Sequence, residues 1–191
     1  PTMEFAEVDG LVKAEPDPND PLFSMQSWNL QAIRAPTAWN AVWESQGPIV
    51  AVVDSGVDLT HPDLEGRLVG GYDFVDGDDQ PWDEYGHGTH MAGIIAASAN
   101  NGIGVVGISR AGRVMPVRVL DSAGDGSVSA LASGIFWAVD HGAKIVNLSV
   151  AGPQGGTVLR EAVQYARDKG VLVVAAAGNG YQQGNPPVYP A

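Results

Sequence analysis

The apolar positions of this chain fall into short runs separated by longer periodic stretches. Ile49-Val50-Ala51-Val52-Val53 is a continuous apolar run, mostly β-branched. It is too short for a free-standing helix and suited to a strand buried on both faces. Similar runs predict strands over 113–120, 144–150 and 171–176. Between them lie helical patterns at 36–43, 87–98, 127–141 and 157–169, several closed by glycine at 47, 142 and 170. Strands alternating with helices of crossover length imply an α/β fold. Its sheet is parallel, with helices on both faces and right-handed connections. Pro116 inside the second strand is expected near an edge or bulge, because it donates no ladder hydrogen bond.

The remaining stretches are less regular. Residues 1–12 alternate acidic and apolar positions and read as a strand of a neighbouring piece. Residues 14–21 carry three prolines and read as an extended arm, and 55–86 as an irregular, acid-rich connection. No internal repeat appears, and no domain linker after residue 24. Each strand runs out into small residues: Asp54-Ser55-Gly56, Leu120-Asp121-Ser122, Ser149-Val150-Ala151 and Ala177-Gly178-Asn179. The carboxyl edge of a parallel sheet is where ligands gather, and small side chains leave an open shelf there.

Composition narrows the function. The 191 residues are 45% hydrophobic, enough for one domain with a real core. Formal net charge is -12, from 10 basic and 22 acidic residues. That argues against nucleic acid or anionic membrane as partners and suits solubility or cation binding. There is no cysteine, which excludes disulfides and thiolate metal sites. No apolar run has transmembrane length and no signal peptide is visible. A chain starting at Pro1 suggests that an upstream part has been removed.

Two residues stand out chemically. Asp54 ends the first strand, where it is either a catalytic helper or a cap for the next segment. His87, in Gly86-His87-Gly88-Thr89-His90, opens a helix, where it is either a general base or a helix-start residue without a task. The His87/His90 spacing lacks the acidic helical partner of a zinc motif. Gly102-Ile103-Gly104-Val105-Val106-Gly107 has dinucleotide-motif spacing, but a helix precedes it and a strand follows, the reverse of what that motif needs. Asp54-Ser55-Gly56 also matches the aspartic-protease triplet, whose fold is β-rich instead of alternating.

Taken together, Asp54-Ser55-Gly56, Gly86-His87-Gly88-Thr89-His90, Asn147-Leu148-Ser149 and Ala175-Ala176-Ala177-Gly178-Asn179 resemble the landmarks of the subtilisin family of serine proteases, thermitase-like members in particular. They stand in that family's order, and the resemblance covers about residues 16–191. It implies a three-layer subtilisin-like fold lacking its C-terminal part. His87 is then the general base, Asp54 the residue orienting it, and Asn179 the oxyanion donor. The family's nucleophile lies in a Gly-Thr-Ser-Met-Ala segment, and no such segment occurs here. Ser55 should face away and Ser149 belongs to the shelf, so these residues alone are expected to hydrolyse peptides negligibly.

The same resemblance implies further sites. An extended peptide would add as a strand between Gly124-Asp125-Gly126 and Ser149-Val150-Ala151. Ala176 and Gly178 would wall the main specificity pocket. Ala151 departs from the family's usual glycine. One Ca²⁺ site would use Asp20, Asp63 and Asn101 with carbonyls at Ser98, Ile103 and Val105, and a second would use Asp73, Asp76, Asp78 and Gln80. Residues 1–15 resemble the tail of an inhibitory propeptide, 16–191 the N-terminal portion of the catalytic domain, and the family is secreted. The alternative to an enzyme is an inactive fragment or pseudoprotease that binds calcium and peptide.

Overall fold

A computed structural model describes residues 17–41 and 47–191. The expectations for 1–15, for the start of the proline-rich arm and for the end of the 36–43 helix lie outside the described residues. Five parallel strands form one sheet: β1 (Ile49–Asp54), β2 (Tyr72–Asp73), β3 (Arg113–Arg118), β4 (Ile145–Leu148) and β5 (Leu172–Ala175). Their spatial order is β2-β3-β1-β4-β5, so the most apolar run is central and paired on both sides.

Pro116 does not sit at an edge. It lies within β3, opposite Val52 of β1. The neighbouring Val114 and Arg118 show that the missing N–H would point toward β2: Val114 N–H donates to Arg67, and Arg118 accepts from Phe74. On that side pairing is interrupted between the Leu68–Val114 bridge and the start of β2 at Tyr72. The proline therefore costs no ladder bond.

The helices are α1 (Phe23–Ala32), α2 (Ala35–Ala41), α3 (His87–Ala96), α4 (Val128–Asp140) and α5 (Thr157–Asp168). α4 starts where the Ser127 hydroxyl accepts from Ala130 N–H at 3.0 Å, a side-chain N-cap. α4 and α5 cover one face of the sheet. Their inner rows are Ala132, Ile135 and Ala138 on α4, and Leu159, Ala162 and Ala166 on α5. These pack with Ala51, Val53, Val117 and Leu148. On the other face α3 presents Ala92 and Ala96 to Val52, Val57, Leu64 and Val114. Each fully buried valine or leucine contributes roughly 1.5–3 kcal/mol by the area it removes from water.

Two elements were not foreseen. α1 occupies a stretch without clear periodicity, and buries Phe23 and Leu30 against Val106. β2 is a two-residue strand inside the acid-rich connection. No helix among the described residues is long and apolar enough to cross a membrane.

Candidate active site

Asp54 ends β1 with no solvent exposure, and His87 is the first residue of α3. The His87 Nδ1 to Asp54 Oδ1 distance is 2.7 Å, and the same oxygen accepts from Ser55 N–H at 2.8 Å. A carboxylate only accepts, so the proton of this pair belongs on Nδ1 and Nε2 is left as the basic nitrogen. The imidazole is about one third exposed, so it is reachable from one side while its orienting carboxylate is dry. Asp54 Oδ2 is buried and has no partner.

The start of α3 is held from outside the helix. Gly86, at the N-cap, adopts φ 98°, a left-handed conformation natural to glycine, and has no side chain to cap with. The capping comes from two other residues. Ser55 Oγ accepts from Gly88 N–H at 2.9 Å and donates to Asp83 Oδ1 at 2.8 Å. Asp83 also accepts from the N–H groups of Tyr85, Gly86 and Thr89, and from the Thr89 hydroxyl. Partial burial alone would raise the Asp83 carboxyl. The Thr89 hydroxyl, the Gly86 and Thr89 N–H groups and Ser55 outweigh it and hold the group below the usual carboxylate range. Close packing does the rest. A Cβ on Gly88 would collide with the Gly56 carbonyl oxygen, so only glycine lets α3 lie this near the end of β1.

His87 opens onto a cleft of about 440 Å³. One wall is Gly124, Asp125 and Gly126 and the other Ser149, Val150 and Ala151. Val128, Leu131 and Leu159 add apolar lining to it. Asp121 shapes the first wall by accepting from Ala123 and Asp125 N–H at 2.9 and 3.1 Å. Those backbone bonds, Asp125 first, keep its carboxyl below the ordinary range. Tyr189 reaches the cleft because its N–H and carbonyl pair with Gly152. Tyr85, Asp83 and Tyr189 were not singled out by sequence; Tyr85 and Asp83 stand two and four residues before His87, the one signal available.

The structure does not bring every expected residue to this cleft. Ala176, Gly178 and Asn179 do not line it. Ala176 hydrogen-bonds back to Leu148, after which Gly178 packs on Val188 and Gly180 against Pro186, and Asn179 stands exposed between them. The serines that line the cleft or adjoin Asp54 are engaged in hydrogen bonds. Ser55 is used by Asp83 and Gly88, Ser127 caps α4, and Ser149 Oγ accepts from Asn147. His90 lies away from His87, in a groove between α1 and α3 with His61.

The two acid-rich regions are built differently. Asp20 and Asp63 are 4% and 2% exposed and have no cationic side chain in ion-pair contact among the described residues. Asp20 accepts from Asn100 and Asn101 N–H, while Asp63 accepts from Val105 N–H and from the Asn101 side chain at 2.8 Å. The carbonyl oxygens of Ser98, Ile103 and Val105 receive no hydrogen bond. Gly104 closes over Asp63, where a Cβ would strike its carboxylate. Two buried carboxylates and three free carbonyls are the hard oxygen donors that Ca²⁺ takes, so this set fits such an ion.

In the other region Asp73 and Asp78 face each other across an antiparallel bridge, and Asp78 Oδ1 accepts from Gln80 N–H. Asp73 and Asp76 both close on the buried Arg118 guanidinium at 2.9 Å, joined by Glu84 at 2.6 Å. Burial alone would lower the Arg118 pKa, but the three carboxylates, Asp73 foremost, raise it. These residues fit a cation less well, since two of the three aspartates already neutralise a guanidinium. Among the described residues, no three of His, Cys, Asp and Glu converge as a metal-holding group.

Comparison with known proteins agrees with this geometry. Residues 45–191 match the model of the subtilase family. Thermitase of Thermoactinomyces vulgaris is 50% identical over 175 residues, covering 91% of this chain and 61% of thermitase. The thermophilic serine proteinase of Bacillus sp. (strain AK1) is 45% identical over 179 residues, covering 94% of this chain and 45% of that protein. The chain thus spans about half to three fifths of these relatives. A solved protease of Pseudoalteromonas arctica PAMC 21717 superposes with TM-score 0.81 at 32% identity, covering 92% of this chain and 62% of that one. A cold-adapted subtilisin-like serine proteinase gives 0.64 at 38% identity, covering 72% and 49%. An Asp–His pair at the carboxyl edge of a parallel sheet, opening on a strand-walled cleft and matched over most of its length by these proteins, places the chain in the subtilase family.

Proposed function

We propose that these residues are the base-bearing portion of a serine endopeptidase whose nucleophilic serine lies outside the 191 residues. The observation that carries this is the 2.7 Å contact between His87 and a fully buried Asp54 at the mouth of the cleft. His87 Nε2 would take the proton of an attacking hydroxyl and return it to the leaving amine. Asp54 would hold the tautomer and stabilise the imidazolium. Asn179 is the oxyanion donor in this reading, and reaching the reacting carbonyl requires its loop to turn inward. An extended peptide would pair with 124–126 and 149–151, placing an apolar side chain toward Val128, Leu131 and Leu159. Family membership supports a peptide or protein substrate and an extracellular setting.

The set around Asp20 and Asp63 is read as a Ca²⁺ site, which when bound would tie the N-terminal arm to two distant loops. Its ligands would be the Asp20 and Asp63 carboxylates, Asn101, and the carbonyls of Ser98, Ile103 and Val105. A second ion at Asp73, Asp76, Asp78 and Gln80 would have to share Asp73 and Asp76 with Arg118.

Two assays test the endopeptidase reading. The 191-residue chain should show no turnover above background, while a hybrid extended with the remaining part of thermitase should cleave peptides and lose this with His87→Ala. A folded hybrid without activity, or serine-inhibitor-sensitive turnover by the chain alone, overturns it.

A further inference from the structure

The sequence holds two Asn-Gly pairs, Asn101-Gly102 and Asn179-Gly180. They are held very differently. The Asn101 side chain is fixed at both ends, donating to Asp63 Oδ1 at 2.8 Å and accepting from Ile103 N–H at 2.9 Å. Asn179 is exposed and its side chain has no hydrogen-bond partner among the described residues. The Gly180 N–H donates to nothing either, although the Gly180 carbonyl is anchored by Gln183 and Asn185 at 3.0 and 2.9 Å.

We propose that Asn179-Gly180 is a self-modification site, at which the asparagine spontaneously loses its amide. The backbone nitrogen of Gly180, once deprotonated, attacks Asn179 Cγ. The new N–Cγ bond closes a five-membered succinimide, the Cγ–Nδ2 bond breaks, and ammonia leaves with the proton. Water then opens either carbonyl of the ring, giving aspartate or isoaspartate. Nothing is oxidised or reduced, and water is the sole co-reactant. Glycine matters because no Cβ hinders the approach of its nitrogen. It is also held in place by packing, since a Cβ at 180 would lie 2.8 Å from Pro186 Cδ.

The product inverts the chemistry of position 179. An amide that donates becomes a carboxylate that only accepts, with a negative charge added. This consequence rests on the reading of Asn179 as the oxyanion donor. There the lost donor would reduce turnover about 10²–10³-fold, the magnitude measured for that donor in subtilisin of the same family. In a protein that also carries the nucleophilic serine, the site would then act as a clock, with older molecules less active than fresh ones.

The test does not read activity, so it separates this inference from the endopeptidase reading. The purified 191-residue chain is incubated at neutral and alkaline pH, then followed by peptide-mapping mass spectrometry and isoaspartyl methyltransferase labelling. Position 179 should gain one mass unit and accept methyl groups well before position 101, faster at the higher pH. Gly180→Ala should slow the reaction. Asn179→Gln, whose cyclisation needs a six-membered ring and which leaves the Gly180–Pro186 contact intact, should remove the signal. Asn179 persisting as long as Asn101, or labelling unchanged in Asn179→Gln, overturns the inference.

Discussion

Replacing Asp83 by alanine isolates what holds His87 in place, because Asp83 touches neither Asp54 nor His87 in any hydrogen bond of the site. The substitution removes an acceptor for five donors: Ser55 Oγ, the N–H groups of Tyr85, Gly86 and Thr89, and the Thr89 hydroxyl. Tyr85 and Gly86 are exposed, so water replaces the carboxylate there at little cost. Thr89 N–H is an orphan donor of the first turn of α3, and losing its cap costs about 1 kcal/mol. Ser55 is fully buried, and leaving its hydroxyl without an acceptor costs a further ~1–3 kcal/mol. A total of about 2–4 kcal/mol is a large share of the ~5–15 kcal/mol that stabilises a typical domain. With a urea slope of about 2 kcal/mol per molar, the unfolding midpoint should fall by roughly 1–2 M.

The acid side supplies a second reading of the same variant. Hydrogen bonds depress the Asp83 carboxyl in the folded protein, so its stabilisation is complete above the ordinary carboxylate value. It fades as pH falls through the lower, folded value. The gap between parent and Asp83→Ala should therefore be full at neutral pH and narrow in acid. The low-field proton on His87 Nδ1, visible by NMR when it bonds Asp54, should broaden in the variant. An unchanged urea midpoint at neutral pH, or a gap that stays constant into acid, refutes the reasoning.

Two further outcomes follow from the geometry. Calcium at about one hundred times its Kd should stabilise the chain by ~2.7 kcal/mol through linkage, raising Tm by roughly 5–10 °C. Asp63→Asn should abolish that rise, and a Tm indifferent to chelation in the parent would remove the calcium reading. Gly88→Ala should push α3 off the end of β1 and destabilise by about 1–3 kcal/mol. It should also lengthen the His87–Asp54 contact, and an undisturbed low-field imidazole proton would show that the close approach is not needed.

Much of the site was legible because it is local. Asp54 and His87 each sit at the end of a strongly patterned element, and the motifs around them carry their own glycines. The residues that hold them were not legible. Asp83 looked like one more member of an acid run, and only folding shows it capping α3 instead of meeting solvent. Arg118 lay unremarked inside the strand predicted over 113–120, yet it is buried and gathers Asp73, Asp76 and Glu84 from 34–45 residues earlier in the chain. α1 escaped notice because its stabilisation comes from Phe23 and Leu30 meeting Val106, a contact no local periodicity records.

The sequence alone determined the kinds of element and their alternation, since a strand buried on both faces must be continuously apolar and a covering helix must repeat with the turn. From that followed the parallel sheet and the edge where chemistry belongs. Only the tertiary structure decided which strands are neighbours, and with that where Pro116 is tolerated and which carboxylates meet Arg118. It also decided that Asn179 stands outside the cleft, its loop set by Val188 and Pro186. Pairing order and loop placement depend on contacts between residues far apart in the chain, and those contacts leave no periodic trace in the residues that make them.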